Sequence, residues 1–398
     1  MSTKLIHHPY RAPSGFDSVV PAVHKASTVI FEDTAALRTR QWQDKSGYTY
    51  GLHGTPTTFV LEERLATLEG GVQTLLAPSG LAALGLVNMA LLGVGDEVLL
   101  PDNVYAPNKD FVKVELAQWG ITHHFYDPMD AAALAQLVTP KTRLLWLEAA
   151  GSVTLEFPDL IGLLQVARQH PQLVTALDNT WGAGLAFDAF DLGLPVKGDS
   201  RGVDLTVHAL TKYPSGGGDV LMGSVTTRDE ALHRKLKMTH MRLGLGVGGN
   251  DVEGILRGLP SMKLRYAAHD AATRQVAQWL CGRSEVARVL HPSLPDSPGH
   301  AHWAQVCEAA GGLVSVVFDG QRFSSERVDA FVDALSLFKI GYSWGGPMSL
   351  VMPYGLRGMR QFGDLAGATS GTLVRFAIGL EDVQDLIADL DQAFATLA

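Results

Sequence analysis

In "VHALTKYPSGGGD", Val207 to Asp219, an apolar, β-branched run ends in a lysine, and three glycines soon follow. Lys212 is either an ordinary solvated turn residue or an amine held where a small molecule comes close to the backbone. Kept partly neutral by its neighbours, such an amine forms a Schiff base with a carbonyl compound. Asp178 follows the apolar run "LVTAL" and opens "DNTW". A carboxylate at the end of a buried strand can hold a ring nitrogen protonated, while "DNT" is also good helix-capping chemistry. Tyr105, in "PDNVYAP", can stack on a flat ring or simply fill a core or rim position. Ser79-Gly80 reads as the start of a helix, whose unpaired N–H groups bind phosphate.

The elements between these residues decide whether they meet. "VQTLLA", "EVLL", "ITHHFY", "RLLWLE", "LVTALD", "VDLTVHAL" and "VLMGSVTT" read as strands. Helical segments at 79–92, 107–119 and 159–169 alternate with them, and "TFVLEERLATLEGG" reads as an amphipathic helix with a glycine stop. Strands apolar on both faces, alternating with helices, imply an α/β fold with a mostly parallel seven-stranded sheet. Residues 1–54 carry little periodicity and read as an extended arm. Residues 55–258 form the large domain, and longer helices with shorter strands over 259–398 imply a smaller α+β domain. In an open α/β sheet, ligands bind beyond the carboxyl ends of the strands. Lys212, Asp178, Tyr105 and the helix start at Ser79 all follow strands there. Together they meet the requirements of pyridoxal 5′-phosphate: an amine for the imine, an acid for the pyridinium nitrogen and a helix N-terminus for the phosphate.

Other classes fit less well. The chain of 398 residues carries a formal charge of −9, without a basic patch suited to nucleic acid. No window approaches the apolar length of a membrane span. Cys281 and Cys307 are the only cysteines, which fits a reducing, cytoplasmic setting. Adjacent strand residues face opposite sides, so His123 and His124 do not share an ion, and no metal site is expected. "GLGVGG", Gly244 to Gly249, has dinucleotide-fingerprint spacing but follows a helical segment rather than a strand, so it reads as a loop.

At "LDNTWGAG" and "ALTKYPSGGGD" the sequence resembles the Cys/Met-metabolism family of pyridoxal-phosphate enzymes, with the fold type I architecture of aspartate aminotransferase. "YTYGLHGTPTTFVLEERLATLEGG", "APSGLAA", "PDNVYAPNKDF", "YSWGG" and "GTLVRFAIGLEDVQDLIADL" extend the likeness over nearly the whole chain. Within the family the sequence is most similar to the bacterial β-lyases that act on cystathionine. The resemblance implies that Lys212 carries the cofactor and shuttles protons, and that Asp178 pairs with the ring nitrogen. Tyr105 would stack on the ring and help deprotonate the incoming amine. Ser79, Gly80, Leu81 and Thr211 would bind phosphate, and Tyr50 would reach the neighbouring subunit's site. Arg375 would clamp the substrate α-carboxylate, a task suited to a guanidinium fork, and Ser343 and Trp344 would line the pocket. The family's sites lie at a dimer interface, usually within a homotetramer.

The chain also departs from the family. Leu52 stands where an arginine often binds phosphate from across the interface, with His53 beside it. Ala209 lacks the usual hydroxyl, Met348 replaces a common glutamate, and Gly217 and Gly218 replace "HS". The resemblance implies β-elimination from an amino-acid thioether, cleaving L-cystathionine to homocysteine, pyruvate and ammonia. Broader action on cysteine conjugates, γ-elimination or γ-synthesis, a racemase side activity and a non-catalytic binding protein are the alternatives. Trp344 in "SWGG" favours the β-lyase, since γ-type members usually read "SLGG".

Overall fold

The computed structural model describes residue 15 and residues 18–196, 200–366 and 368–397. Most of the first 17 residues of the expected arm therefore lie outside the described residues. The first sheet contains β1 (Gln73–Ala77), β2 (Glu97–Pro101), β3 (Thr122–Tyr126), β4 (Thr142–Glu148), β5 (Val174–Asp178), β6 (Leu205–Ala209) and β7 (Gly223–Thr227). These are the seven runs expected from the sequence. Their order is β1-β7-β6-β5-β4-β2-β3. The β2–β3, β2–β4, β4–β5 and β5–β6 pairs are parallel, and β7 runs antiparallel to both β6 and β1. Both faces of the central strands are covered, which is why β2 and β4 carry the continuous apolar runs Val98–Leu100 and Leu144–Leu147. Trp146, Ala176 and Val207 pack with Leu84 and Val87 of the helix Gly80–Leu91 on one face. Leu145, Leu147 and Leu177 pack with Leu163 and Leu164 of the helix Leu160–Arg168 on the other.

The second sheet contains β8 (Arg288–Leu290), β9 (Leu313–Phe318), β10 (Lys339–Ile340), β11 (Leu350–Gly355) and β12 (Thr372–Ala377), in the order β10-β11-β12-β9-β8. Phe318, Phe331, Phe376 and Phe394 are buried together beneath it, with the Phe331 and Phe394 rings 4.6 Å apart. Each ring so buried stabilises the fold by about 1.5–3 kcal/mol. The 33-residue helix Gly249–Cys281 serves both sheets. Val252 and Ile255 pack with Leu76 and Met222 of the first region, and Val276 and Leu280 enter the core of the second.

Two local features set up the site. The helix Pro56–Glu69 starts on a reciprocal Thr55/Thr58 capping box and stops at Gly70 with φ +75°. The helix Gly80–Leu91 sits down onto the β6–β7 edge because three facing residues are small. A Cβ on Gly80 would lie 2.6 Å from the Ala209 Cβ, and one on Gly223 would lie 2.4 Å from the Ser79 carbonyl oxygen. Ala209 and Gly223 are themselves register partners.

Candidate active site

Asp178 is the last residue of β5. Its Oδ1 accepts the Thr180 N–H at 3.0 Å and the Thr180 hydroxyl at 2.5 Å. The same Thr180 oxygen accepts the Ala209 N–H at 2.9 Å, so one side chain ties the acid to the end of β6. Burial raises the Asp178 carboxyl above its ordinary value, and the two Thr180 bonds offset part of that rise.

Lys212 follows β6 in a turn, closed by its own N–H bonding to the Ala209 carbonyl at 3.1 Å. Its Nζ donates to Ser343 Oγ at 2.7 Å and lies 5.4 Å from the centre of the Trp344 ring. Burial, reinforced by nearby Arg375, lowers the amine to about 8, while Asp178 opposes the shift. A useful fraction of Lys212 is thus the neutral nucleophile near neutral pH. Ser343 itself has φ +94°, a backbone conformation that costs a non-glycine residue energy and is held here by its surroundings. Gly345 lets the same segment close in, since a Cβ there would stand 2.9 Å from the Tyr213 nitrogen.

Arg375 lies inside β12, only 8% exposed. Its guanidinium stacks 5.6 Å from the Tyr354 ring, and burial lowers its basicity. Among the described residues its Nε has no hydrogen-bond partner and no carboxylate forms an ion pair with it. A buried cation without an anion is costly, so the place is suited to a ligand carboxylate. Tyr105 precedes the helix Ala106–Phe111, 43% exposed. Its N–H donates to Glu148 Oε2 at 2.8 Å. Burial raises its phenol, with Asp178 and Glu148 adding to the shift.

Ser79 caps the helix that begins at Gly80: its Oγ accepts the Ala82 N–H at 3.0 Å and its carbonyl accepts from Ala83. The Gly80 and Leu81 N–H groups precede the first intrahelical bond and are the ones left to face an anion. Thr211 stands in the same turn as Lys212, its carbonyl bonded by the Ser215 hydroxyl. Tyr50 takes no part in this group within its own chain. It is 45% exposed, bridges to Thr28, and its ring lies 6.0 Å from that of His53.

The structure therefore brings Lys212, Asp178, Tyr105, Ser343, Trp344 and Arg375 to one edge, with the Ser79 helix start beside Ala209. Four further residues were not picked out by the sequence reading. Thr180 was weighed only as part of a cap. Tyr213 carries its hydroxyl to the Gly312 N–H at 2.7 Å. Tyr354 meets Arg375 only through the β11–β12 register, and Glu148 ends "RLLWLE" as an unremarked polar residue. Two glycines make close contacts that the sequence does not name. Gly80 admits Ala209 as well as facing an anion, and Gly216, the first glycine after Lys212, admits a guanidinium. A Cβ on Gly216 would lie 2.3 Å from Arg265 Nη1, which bonds the Tyr213 carbonyl at 2.8 Å.

This donor set fits pyridoxal 5′-phosphate. It offers a partly neutral amine, a buried carboxyl with both Thr180 bonds on one oxygen, and a helix start with unbonded N–H groups. Known proteins agree. Cystathionine beta-lyase of Bordetella avium is 38% identical over 401 residues, covering 98% of this chain and 96% of that protein. Cystathionine beta-lyase MetC of Escherichia coli (strain K12) is 32% identical over 402 residues, covering 100% and 98%. The crystal structure of cystathionine gamma synthase from Xanthomonas oryzae pv. oryzae in complex with cystathionine superposes with a TM-score of 0.85 at 28% identity, covering 97% of this chain and 95% of that one. With residues 2–395 matching its pattern, the chain belongs to the Cys/Met metabolism PLP-dependent enzyme family, and its cofactor is pyridoxal 5′-phosphate.

Proposed function

We infer that the chain is a carbon–sulfur β-lyase that cleaves L-cystathionine to homocysteine, pyruvate and ammonia. The observation that carries this reading is the unpaired, buried Arg375 guanidinium in the same site as the Lys212 amine. One group suits the α-carboxylate and the other the α-proton. Bound pyridoxal 5′-phosphate supplies an electron sink for charge developing at Cα. Asp178 would hold its ring nitrogen, Tyr105 would stand against the ring, and Ser79, Gly80, Leu81 and Thr211 would hold the phosphate.

Arg375 orients the amino acid by its carboxylate, between the Tyr354 ring and the open site. Lys212 Nζ takes the α-proton, and Ser343 Oγ, 2.7 Å away, aims the amine. Tyr105, near Asp178 and Arg375, helps deprotonate the incoming amino group. Trp344 lines the pocket beside Lys212. The Cβ–S bond breaks, sulfur leaves with its electron pair and takes the proton held by Lys212 to become the thiol product, and water hydrolyses the three-carbon enamine to pyruvate and ammonia.

The arm, residues 1–54, would contact a neighbouring subunit and carry Tyr50 to its site in a homodimer or homotetramer. Residues 55–258 would form the cofactor-binding domain and 259–398 the smaller one. His53 is a poor stand-in for an arginine at Leu52: partial burial lowers its imidazole, and Lys237 and Arg40 lower it further. Its ring nitrogen is already engaged by the Thr49 hydroxyl at 2.8 Å. No helix among the described residues is long and apolar enough to cross a membrane. The two free cysteines support a cytoplasmic setting.

The likeness to a cystathionine gamma synthase structure favours γ-chemistry as the second reading. Incubation with cystathionine separates the two: the β-lyase releases pyruvate, and 2-oxobutyrate as the main keto acid would refute it.

A further inference from the structure

We propose that Glu148 is a positioning residue of the candidate site: one carboxyl oxygen fixes the main chain of Tyr105, while the carboxyl stands beside Asp178. One side chain would thereby set the ring-stacking tyrosine and the ring-nitrogen partner relative to each other. The inference rests on the roles given above to Asp178 and Tyr105.

Three observations carry it. Glu148 and Asp178 are register partners at the last positions of β4 and β5, so both side chains leave the same face of the sheet on neighbouring strands. Glu148 Oε2 accepts the Tyr105 N–H at 2.8 Å, at the residue where the chain turns into the helix Ala106–Phe111. That helix start has no side-chain cap of its own, and the Glu148 carboxyl is the side chain that holds the Tyr105 N–H there. Finally, the cations that face Glu148 are committed elsewhere. Lys109 bonds Asp102 at 3.0 Å, and Arg360 bonds the Ser152 carbonyl and, at 2.7 Å, the Thr154 hydroxyl.

Two buried carboxyls side by side do not both ionise easily. Asp178 has two donors on Oδ1, whereas Glu148 has a single main-chain donor. Burial, and after it the charge of Asp178, pushes Glu148 well above the usual carboxylate range. Its other neighbours, Tyr126, Lys109 and Arg360, do not reverse this. The donor count and the burial thus favour the proton on Glu148 over Asp178. An uncharged Glu148 still accepts the Tyr105 N–H through its carbonyl oxygen, and it spares Asp178 a second negative charge.

The test compares holoenzymes of Glu148→Gln, Glu148→Ala and Asp178→Asn by cofactor affinity and by the visible absorbance of bound cofactor against pH. Glutamine keeps an acceptor and no charge, so its affinity stays within about threefold of wild type and its absorbance curve within about 0.3 pH units. Alanine leaves the Tyr105 N–H without its partner, and affinity falls about tenfold or more. Should the alanine variant not fold, Glu148→Asp, one methylene short of Tyr105, replaces it with the same expected loss. A glutamine curve displaced by about one pH unit or more would mean an ionised Glu148 and overturn the proposal. Wild-type affinity in the alanine or aspartate variant would overturn it as well. If Asp178→Asn leaves affinity and spectrum unchanged, the assignment of the site itself fails. If Asp178→Asn alters both while the Glu148 variants alter neither, the positioning role alone fails.

Discussion

The two sheets equip the site in opposite ways. The first offers its groups where strands stop: Glu148 and Asp178 are the final residues of β4 and β5, and Lys212 stands three residues past β6. The second offers Arg375 from the middle of β12, with Met352 and Ser315 as register partners on either side. At a strand end the chain is held by its ladder on one side only, and Lys212 lies beyond it altogether, so each of these side chains has a tie of its own. Thr180 supplies one to Asp178, Ser343 one to Lys212 and Tyr105 one to Glu148. Arg375 has its backbone fixed by two neighbouring strands, and its Nε is left open. In this reading, the first sheet handles cofactor and proton and the second recognises the carboxylate.

That division can be broken experimentally. The largest effect is expected for Lys212→Ala: turnover falls at least about 10³-fold, as for loss of a positioned acid–base group. The absorbance of covalently held cofactor disappears with it, and a wild-type spectrum would remove Lys212 from its role. Next comes Arg375→Lys, which gives up the guanidinium fork. KM for cystathionine rises about 10–100-fold, the scale of a charged hydrogen bond, while the cofactor spectrum is unchanged. Loss of cofactor from that variant would erase the distinction between the sheets. Gly80→Ala drives a Cβ against Ala209 and costs about 1–3 kcal/mol by overpacking. Thermal unfolding and cofactor affinity both report it, and an unchanged melting curve would mean that the helix is not seated on β6. The smallest effect is in pH. The neutral amine loads the cofactor, so the rate of reconstituting apoenzyme climbs as pH rises towards about 8 and levels off above it. A rate independent of pH between 6 and 9 (~3 units around the Lys212 value) would contradict the lowered amine.

The first sheet was legible in the sequence because strands covered on both faces carry nearly continuous apolar runs. Its strand ends then placed Lys212, Asp178 and Tyr105 on one edge without any knowledge of distances. What escaped were pairings set by register. Glu148 matters through its neighbour on β5, and Tyr354 through its position opposite β12, 21 residues from Arg375 by numbering (375 − 354). Glycines are only half legible for a related reason. At Gly80 and Gly216 the sequence records that something comes close, without naming Ala209 or Arg265 as the visitor. Lys212 itself lies in a turn beyond the strand, because Ala209 ends β6 and its carbonyl closes that turn.

One contact outside the chemistry bears on how the molecule is held together. Tyr213, the residue after Lys212, takes the Gly312 N–H at the threshold of β9 and is wedged against Tyr266, His269 and Trp344. It works as a tie rod between the two halves of the chain. The next residue back along the chain is the lysine, so the rod also holds the turn on which Lys212 stands. A substitution that shortens the Tyr213 side chain would therefore loosen the turn that carries Lys212 and the start of β9 at the same time.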